Sequence, residues 1–160
     1  MNSLKGKLIA VLMGGLSFER EVSLTTGNEV LEALNRQGCK AVKVDVDRNI
    51  AERLAELQPD LAFIALHGTF GEDGSIQGLL ECMRIPYTGS GVLGSALAYS
   101  KVASKHLFEQ EKIPSARYEV FYRGQRQSQA RTLPLPVVVK PSDQGSGIGI
   151  SVVRKEGEWE

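Results

Sequence analysis

The chain has 160 residues with 19 basic and 19 acidic side chains, so its net charge is close to zero. This balance provides no basic stripe for nucleic acid, and the length suits one domain or two small ones. The apolar stretch before Gly14 has only about seven residues, too few for a membrane span, and lacks a signal-peptide pattern. Cys39 and Cys82 lie outside any CxxC spacing, which indicates reduced thiols. We therefore expect a cytoplasmic protein with no nucleic-acid or membrane partner.

The first part of the chain alternates between strand and helix patterns. Continuous apolar runs at Leu8–Met13 and Leu61–Leu66 are typical of buried parallel strands. The remaining periodic segments are a helix through Leu24, Leu31 and Leu34 ending at Gly38, a strand at Val42–Val46, a helix at Ile50–Leu57, a helix through Ile76, Leu79, Leu80 and Met83, and a short strand at Ile85–Thr88. This alternation predicts an α/β fold with a parallel sheet and flanking helices.

A domain boundary is predicted at Gly89–Gly91, where composition and rhythm change. The later segments are predicted as helices at Val92–Tyr99 and around Ala103, Leu107 and Phe108, a strand at Arg117–Tyr122, a polar loop at Arg123–Thr132, and two strands flanking a glycine-rich loop. We expect a first domain over residues 1–91 and a second over residues 92–160. The second has few apolar helical faces, so its sheet is expected to be incomplete.

Two loops follow predicted parallel strands, at whose carboxyl ends such sheets bind ligands. In the first, Met13–Leu24, Glu19 and Glu21 stand near a helix start, where they either complement the helix dipole or contact a ligand. The second, His67–Gly78, places His67 at the end of a buried strand beside glycines and acids, which favours a functional role over a structural one. Asp73 is expected to cap the next helix, because Glu72 and Asp73 alone are weak metal ligands.

A glycine-rich loop joins two β-branched runs near the end of the chain. Lys140 follows Val137–Val139, and glycines at 145, 147 and 149 precede the second run. Backbone amides of such a loop can approach phosphate oxygens because no Cβ intervenes, and the lysine adds a positive charge. The loop differs from a P-loop, because it has no Gly-Lys-Ser/Thr and leads into a strand. The alternative is an ordinary hairpin with a Gly/Ser turn.

Taken together, Met13–Leu24, His67–Gly78 and Lys140–Gly149 resemble the D-alanine–D-alanine ligase family of the ATP-grasp superfamily. Tyr87–Gly91 and Ser100-Lys101 match as well, so the resemblance covers nearly the whole chain in order. It implies an N-terminal Rossmann-like substrate domain followed by the first, incomplete part of an ATP-grasp α+β domain.

The resemblance also implies a reaction and its site residues. The family joins two D-alanines with ATP and Mg²⁺: the first carboxylate becomes an acyl phosphate, which the second amine attacks. It implies that Glu21 holds the first ammonium, Ser146 fixes that end of the site, and His67 lies near the substrate carboxylates. The residues implied in ATP phosphate binding are Lys101, Lys140, Gly145, Ser146 and Gly147. A homodimer is expected, with the carboxylate metal ligands beyond residue 160 and none in this chain.

Several alternatives stay open at this point. The glycine loop has Ser146-Gly147 where the family often has two serines, which leaves the second hydroxyl contact in doubt. The expected identity is the N-terminal part of such a ligase, inactive by itself. Another ATP-grasp carboxylate–amine ligase, using D-lactate or D-serine as second substrate, is one alternative. A non-catalytic substrate-binding or dimerising fragment is the other.

Overall fold

The computed structural model describes residues 4–122 and 131–158. The chain forms two compact units, Met1–Tyr99 and Ser100–Glu160. Most of the predicted polar loop, residues 123–130, lies outside the described residues. In the described part of the chain, helices long and apolar enough to cross a membrane are absent.

The first unit contains a three-stranded parallel sheet in the order β2-β1-β3. Its elements in chain order are β1 (Leu8–Gly14), α1 (Arg20–Arg36), β2 (Lys40–Val46), α2 (Ile50–Leu57), β3 (Leu61–Ile64), α3 (Ser75–Cys82) and α4 (Val92–Tyr99). Leu8 is in register with Lys40 of β2, and Ile9 with Leu61 of β3. The α/β fold with a parallel sheet and flanking helices is therefore confirmed.

The core of the first unit is built on both faces of β1. Ala10 and Leu12 pack with the buried side chains of α2 and α3, whereas Val11 and Met13 belong to a second cluster with apolar side chains of α1. These four β1 side chains are fully buried. Each large apolar side chain removed from water contributes roughly 1.5–3 kcal/mol, so β1 is the most strongly held strand of this unit.

The predicted fourth strand at Ile85–Thr88 is wrong, because this segment makes only an isolated parallel bridge between Ala62 and Tyr87. The Ala62 amide donates to the Pro86 carbonyl, and the Thr88 amide donates to the Ala62 carbonyl. The next amide, that of Ile64, donates instead to Thr88 Oγ1 at 3.1 Å. A side-chain oxygen thus takes the place of the next backbone acceptor, which ends the ladder.

The second unit contains α5 (Lys101–Gln110) and an antiparallel pair, β4 (Val137–Val139) and β5 (Ser151–Val153), followed by a 3₁₀ turn at Glu156–Glu158. The predicted strand–loop–strand is confirmed. The predicted strand at Arg117–Tyr122 is wrong: this segment has no regular secondary structure and pairs with none of the described strands. A β-favouring sequence needs a neighbouring strand to complete its hydrogen bonds, and pattern alone does not supply one.

The division between the units falls after Tyr99, so α4 groups with the first unit rather than the second. A Cβ on Gly74 would lie 2.8 Å from the Val92 carbonyl oxygen, which shows how closely α4 approaches the start of α3. This contact joins segments on either side of Gly89–Gly91. The assignment of residues 1–91 and 92–160 as separate functional domains stays a prediction.

Candidate functional site

The crevice of the first unit lies at its topological switch point, at the carboxyl end of β1, because successive connections leave toward opposite sides of this strand. From β1 the chain passes through α1 to β2 on one side, and then through α2 to β3 on the other side of β1. In open parallel sheets, ligands bind outside the carboxyl ends of the strands at this switch point. The loops that emerge there are residues 15–19 after β1 and residues 65–74 after β3, which contain two of the sequence-predicted segments.

These two loops are joined by hydrogen bonds and close packing. Ser17 Oγ donates to the His67 carbonyl at 2.7 Å and accepts from the Glu19 amide at 3.1 Å. Glu19 is only 6% exposed. A Cβ on Gly68, where φ is +71°, would lie 2.4 Å from Glu19 Oε2. Glycine is therefore required at residue 68 both for its left-handed backbone and for the carboxylate beside it.

His67 is half-buried in this crevice and has a polar group near each ring nitrogen. Nε2 lies 3.1 Å from Thr26 Oγ1, on α1. Nδ1 lies 3.6 Å from Glu72 Oε1, farther along the same loop. The sequence-predicted histidine thus stands where the two loops and the first helix meet.

Glu21 lies outside this cluster. It is exposed in the first turn of α1, as expected for a carboxylate that complements the helix dipole. Glu19 precedes the helix and is directed toward Gly68 instead. Of the two acids in the first loop, the structure brings Glu19 together with the His67 loop and leaves Glu21 at the surface.

Asp73 closes the second loop, although it is not the residue that precedes α3, which is Gly74. Its carboxylate accepts from the Phe70 amide at 2.9 Å and from the Ser75 amide at 3.0 Å. Partial burial raises the pKa of Asp73, but these hydrogen bonds from Phe70 and Ser75 outweigh it, and the pKa is lowered overall. The expected cap is therefore partly present, as a bond to the first residue of the helix.

A cleft of about 460 Å³ lies on the β2 side of β1, and its lining includes Gly15, Leu16 and Ser17 of the first loop. Arg20 forms a bidentate pair with Asp45, with nitrogen–oxygen distances of 2.8 and 2.6 Å, and Arg53 pairs with Asp47. The hydrogen bond from Arg20 lowers the pKa of Asp45. Because these charges are matched within the protein, the cleft offers no unbalanced charge to attract an ion.

In the second unit, Lys101 is bonded to the loop that follows β4. Its backbone amide donates to the Ser142 carbonyl at 3.0 Å, and Nζ donates to the carbonyls of Ser142 at 3.4 Å and Gln144 at 2.5 Å. Ser100 precedes the helix and accepts from the Ala103 amide. The beginning of α5 thus fixes the start of the glycine-rich loop.

The glycine-rich loop itself consists of two successive turns. The Ile148 amide donates to the Gly145 carbonyl, with φ of +49° at Ser146 and +74° at Gly147, as in a type I′ turn. The Ile150 amide donates to the Gly147 carbonyl, with φ of +71° at Gly149, as in a type II turn. A Cβ on Gly149 would lie 2.8 Å from Pro141 Cγ.

The structure thus brings Lys101 together with this loop, while Lys140 is exposed directly after β4. Turns with residues of opposite backbone handedness can point successive amides toward one anion. Across the described ranges, 4–122 and 131–158, no group of three or more His, Cys, Asp or Glu side chains is arranged to hold a metal ion.

The sequence predictions assigned no role to Ser17 or Thr26, and the family resemblance implied Glu21 rather than Glu19 as the partner of the first ammonium. The available signal for the first pair was weak, since hydroxyl residues near a helix start are common capping residues. Glu19 carried a stronger signal, because it follows Gly14-Gly15 and Ser17 more closely than Glu21 does.

Known proteins share both parts of this architecture. Residues 49–90 match the family model described as the D-ala D-ala ligase N-terminus, and residues 107–160 match that of the D-ala D-ala ligase C-terminus. The chain is 60% identical to a D-alanine–D-alanine ligase of Citrifermentans bemidjiense, covering 96% of this chain and 50% of the relative. It is 56% identical to one of Geotalea uraniireducens, covering 99% and 52%.

Solved structures give the same result. The D-alanine–D-alanine ligase of Bacillus anthracis complexed with ATP has a TM-score of 0.78 and 34% identity, covering 96% of this chain and 52% of that one. The enzyme of Helicobacter pylori has a TM-score of 0.78 and 25% identity, covering 95% and 57%. The fold is therefore that of the ATP-grasp ligases.

Within that class, the chain belongs to the D-alanine–D-alanine ligase family. The chain spans about half the length of the curated relatives it matches. This coverage agrees with the expectation that the chain corresponds to one part of a full-length member of the family.

Proposed function

We propose that this chain serves in an ATP-dependent D-alanine–D-alanine ligase of peptidoglycan synthesis. In this proposal the first unit binds the first D-alanine and the second unit binds phosphates of ATP. The observation that carries it is the pair of loops at the switch point, joined by the Ser17–His67 hydrogen bond, in a chain of this family. D-Alanine is preferred over D-lactate or D-serine as second substrate because the similar relatives are D-alanine–D-alanine ligases.

The first D-alanine carries an ammonium and a carboxylate, and the crevice offers a partner for the ammonium. We assign it to Glu19, because Glu19 is buried among the loops whereas Glu21 is exposed on α1. A charge-assisted hydrogen bond in such a place contributes roughly 1.5–3 kcal/mol. His67 stays the proposed neighbour of the substrate carboxylates.

For the second unit, the proposal is supported by the shape and charge of the glycine-rich loop. Lys140 and Lys101 supply positive charge for phosphate oxygens, and Gly145–Gly147 supply backbone amides. Lys101 now donates to loop carbonyls, so binding a phosphate would require it to exchange or share these acceptors. The Bacillus anthracis relative was solved with ATP, which is the basis for choosing this nucleotide.

The reaction expected of the family is phosphoryl transfer from ATP to the first carboxylate, followed by attack of the second amine and release of phosphate. Such transfer depends on positioning and on neutralising the phosphate charges. Mg²⁺ supplies part of that neutralisation in the expected reaction. The described residues form no metal-binding group, so we assign no step to the metal in this chain. The homodimer and the cytoplasmic location likewise stay predictions.

The substrate assignment can be tested with the chain itself. In ¹⁵N-labelled protein, D-alanine should shift the amides of Ser17 and Gly68, and L-alanine serves as the control ligand. Glu19→Gln should weaken the binding roughly tenfold to a hundredfold, as the loss of a charge-assisted bond predicts. The matched variant Glu21→Gln should retain it.

Two results would contradict the assignment. If Glu21→Gln abolishes the D-alanine shifts and Glu19→Gln does not, then Glu21 is the ammonium partner, as the family resemblance first implied. If D-alanine shifts none of the amides in the two loops at any concentration, then this crevice is not the substrate site of the chain.

A further inference from the structure

His67 has polar neighbours at its backbone carbonyl and at both ring nitrogens. Its carbonyl accepts from Ser17 Oγ at 2.7 Å, which fixes the backbone. Nε2 faces Thr26 Oγ1 at 3.1 Å, and Nδ1 faces Glu72 Oε1 at 3.6 Å. The side chain of His67 is 32% exposed, so one part of the ring remains accessible to water or a ligand.

The chemistry of the two ring neighbours determines where the proton lies. An ionised carboxylate can accept a hydrogen bond but cannot donate one, so Glu72 favours a proton on Nδ1. A neutral imidazole carries only one such proton, and Nε2 is then an acceptor. Thr26 has a hydroxyl, which can donate to Nε2 in that state. In histidine, the partner of one nitrogen sets the protonation of the other.

A hydroxyl also suits the charged form of the ring. When Nε2 gains a proton it becomes a donor, and Thr26 Oγ1 can then accept from it without moving. The Glu19 carboxylate lies beside Gly68, the residue that follows His67.

We propose that Thr26 is a positioning residue for His67: its hydroxyl partners Nε2 in both protonation states and fixes the ring, while Glu72 favours the Nδ1–H tautomer of the neutral imidazole. The tautomer is a property of this chain and holds whether or not the chain binds D-alanine. Its use in the site rests on the proposed function. There, a ring of fixed orientation would take up or release a proton at Nε2 beside the substrate carboxylates.

The test is a long-range ¹H–¹⁵N correlation spectrum of histidine-labelled full chain, at a pH where the imidazole is neutral. The chain has two histidines, and His106, which is exposed on α5, provides an internal reference. In the parent protein, His67 should be mainly the Nδ1–H tautomer. In Thr26→Val, nearly the same shape without the hydroxyl, His67 Nε2 should lose its hydrogen-bond partner, seen as a change in its ¹⁵N shift, while Glu72 keeps the Nδ1–H tautomer. Thr26→Ser should restore the parent Nε2 shift.

A second variant keeps the inference falsifiable if Thr26→Val fails to fold. Glu72→Ala changes an exposed loop side chain and should reduce the Nδ1–H population, because it removes the acceptor beside Nδ1. A parent protein in which His67 is mainly Nε2–H, or a folded Thr26→Val variant with an unchanged Nε2 shift, would overturn the inference. Absence of D-alanine binding with the expected tautomer pattern would refute the proposed function alone, so the two failures are distinguishable.

Discussion

Gly27 and Gly78 offer a matched pair of helix positions for which alanine should have opposite effects. Gly27 lies within α1, where a Cβ would be 2.5 Å from Met13 Cβ and 2.8 Å from Met13 Cε. Met13 is completely buried in β1. Gly78 lies within α3, and a Cβ there would meet no atom within 4 Å.

The expected magnitudes follow from two opposing contributions. Alanine in place of glycine stabilises a helix interior by about 1 kcal/mol, and this is the whole effect expected at Gly78. At Gly27 the same gain is opposed by overpacking, which costs about 1–3 kcal/mol in a close-packed core. Gly78→Ala should therefore be stabilised, and Gly27→Ala should be less stable than Gly78→Ala by about 2 kcal/mol.

The appropriate measurement is amide exchange of the β1 core, because its opening free energy reports unfolding of the first unit rather than of the whole chain. Protection of the Ile9–Leu12 amides should fall in Gly27→Ala relative to Gly78→Ala. Equal protection in the two variants would refute the reasoning, since it would mean that α1 can move away from Met13 without cost.

Three further outcomes are expected. Arg20 lowers the pKa of Asp45 in the folded state. The stabilisation that this ion pair gives is therefore fully present above the pKa of Asp45 in the unfolded chain, and it is lost as the pH falls through the lower pKa of the folded chain. Urea titrations should show that Asp45→Asn lacks this acid-dependent loss of stability. Lys101→Met should speed amide exchange in the glycine-rich loop, because Nζ no longer binds the Gln144 carbonyl. The control variant Lys105→Met should leave this exchange unchanged, because the Lys105 ammonium binds a different segment. The β1 amides should be better protected than those of β4 and β5, since α5 contributes no buried side chain; equal protection throughout would contradict this.

Much of the first unit could be predicted from sequence because its signals are local. The helix α2 begins at Ile50 and ends at Leu57 as its apolar spacing and Pro59 indicated. The continuous apolar run of β1 likewise identified a strand buried on both faces. In each case the period of the side chains and a nearby stop signal suffice, and no distant residue changes the outcome.

The wrong predictions share a dependence on contacts between distant segments. Thr88 ends a ladder because its hydroxyl reaches the Ile64 amide, 24 residues earlier in sequence. The segment Arg117–Tyr122 has strand-forming residues but no described strand beside it. The residue pattern of one segment contains no information about which distant segment will lie beside it, so these contacts could not be predicted from the pattern.

The choice between Glu19 and Glu21 shows how a small local uncertainty becomes a functional one. Apolar spacing indicated a helix from about Leu24, whereas α1 begins at Arg20. That difference matters because it places Glu21 on the first turn of the helix and Glu19 just before it. The Ser17 hydroxyl accepts from the Glu19 amide and donates to His67, so the first loop is turned toward the second where Glu19 emerges. The position of the Glu19 carboxylate thus depends on the residue at which α1 begins. Helix boundaries are the feature that hydrophobic periodicity specifies least.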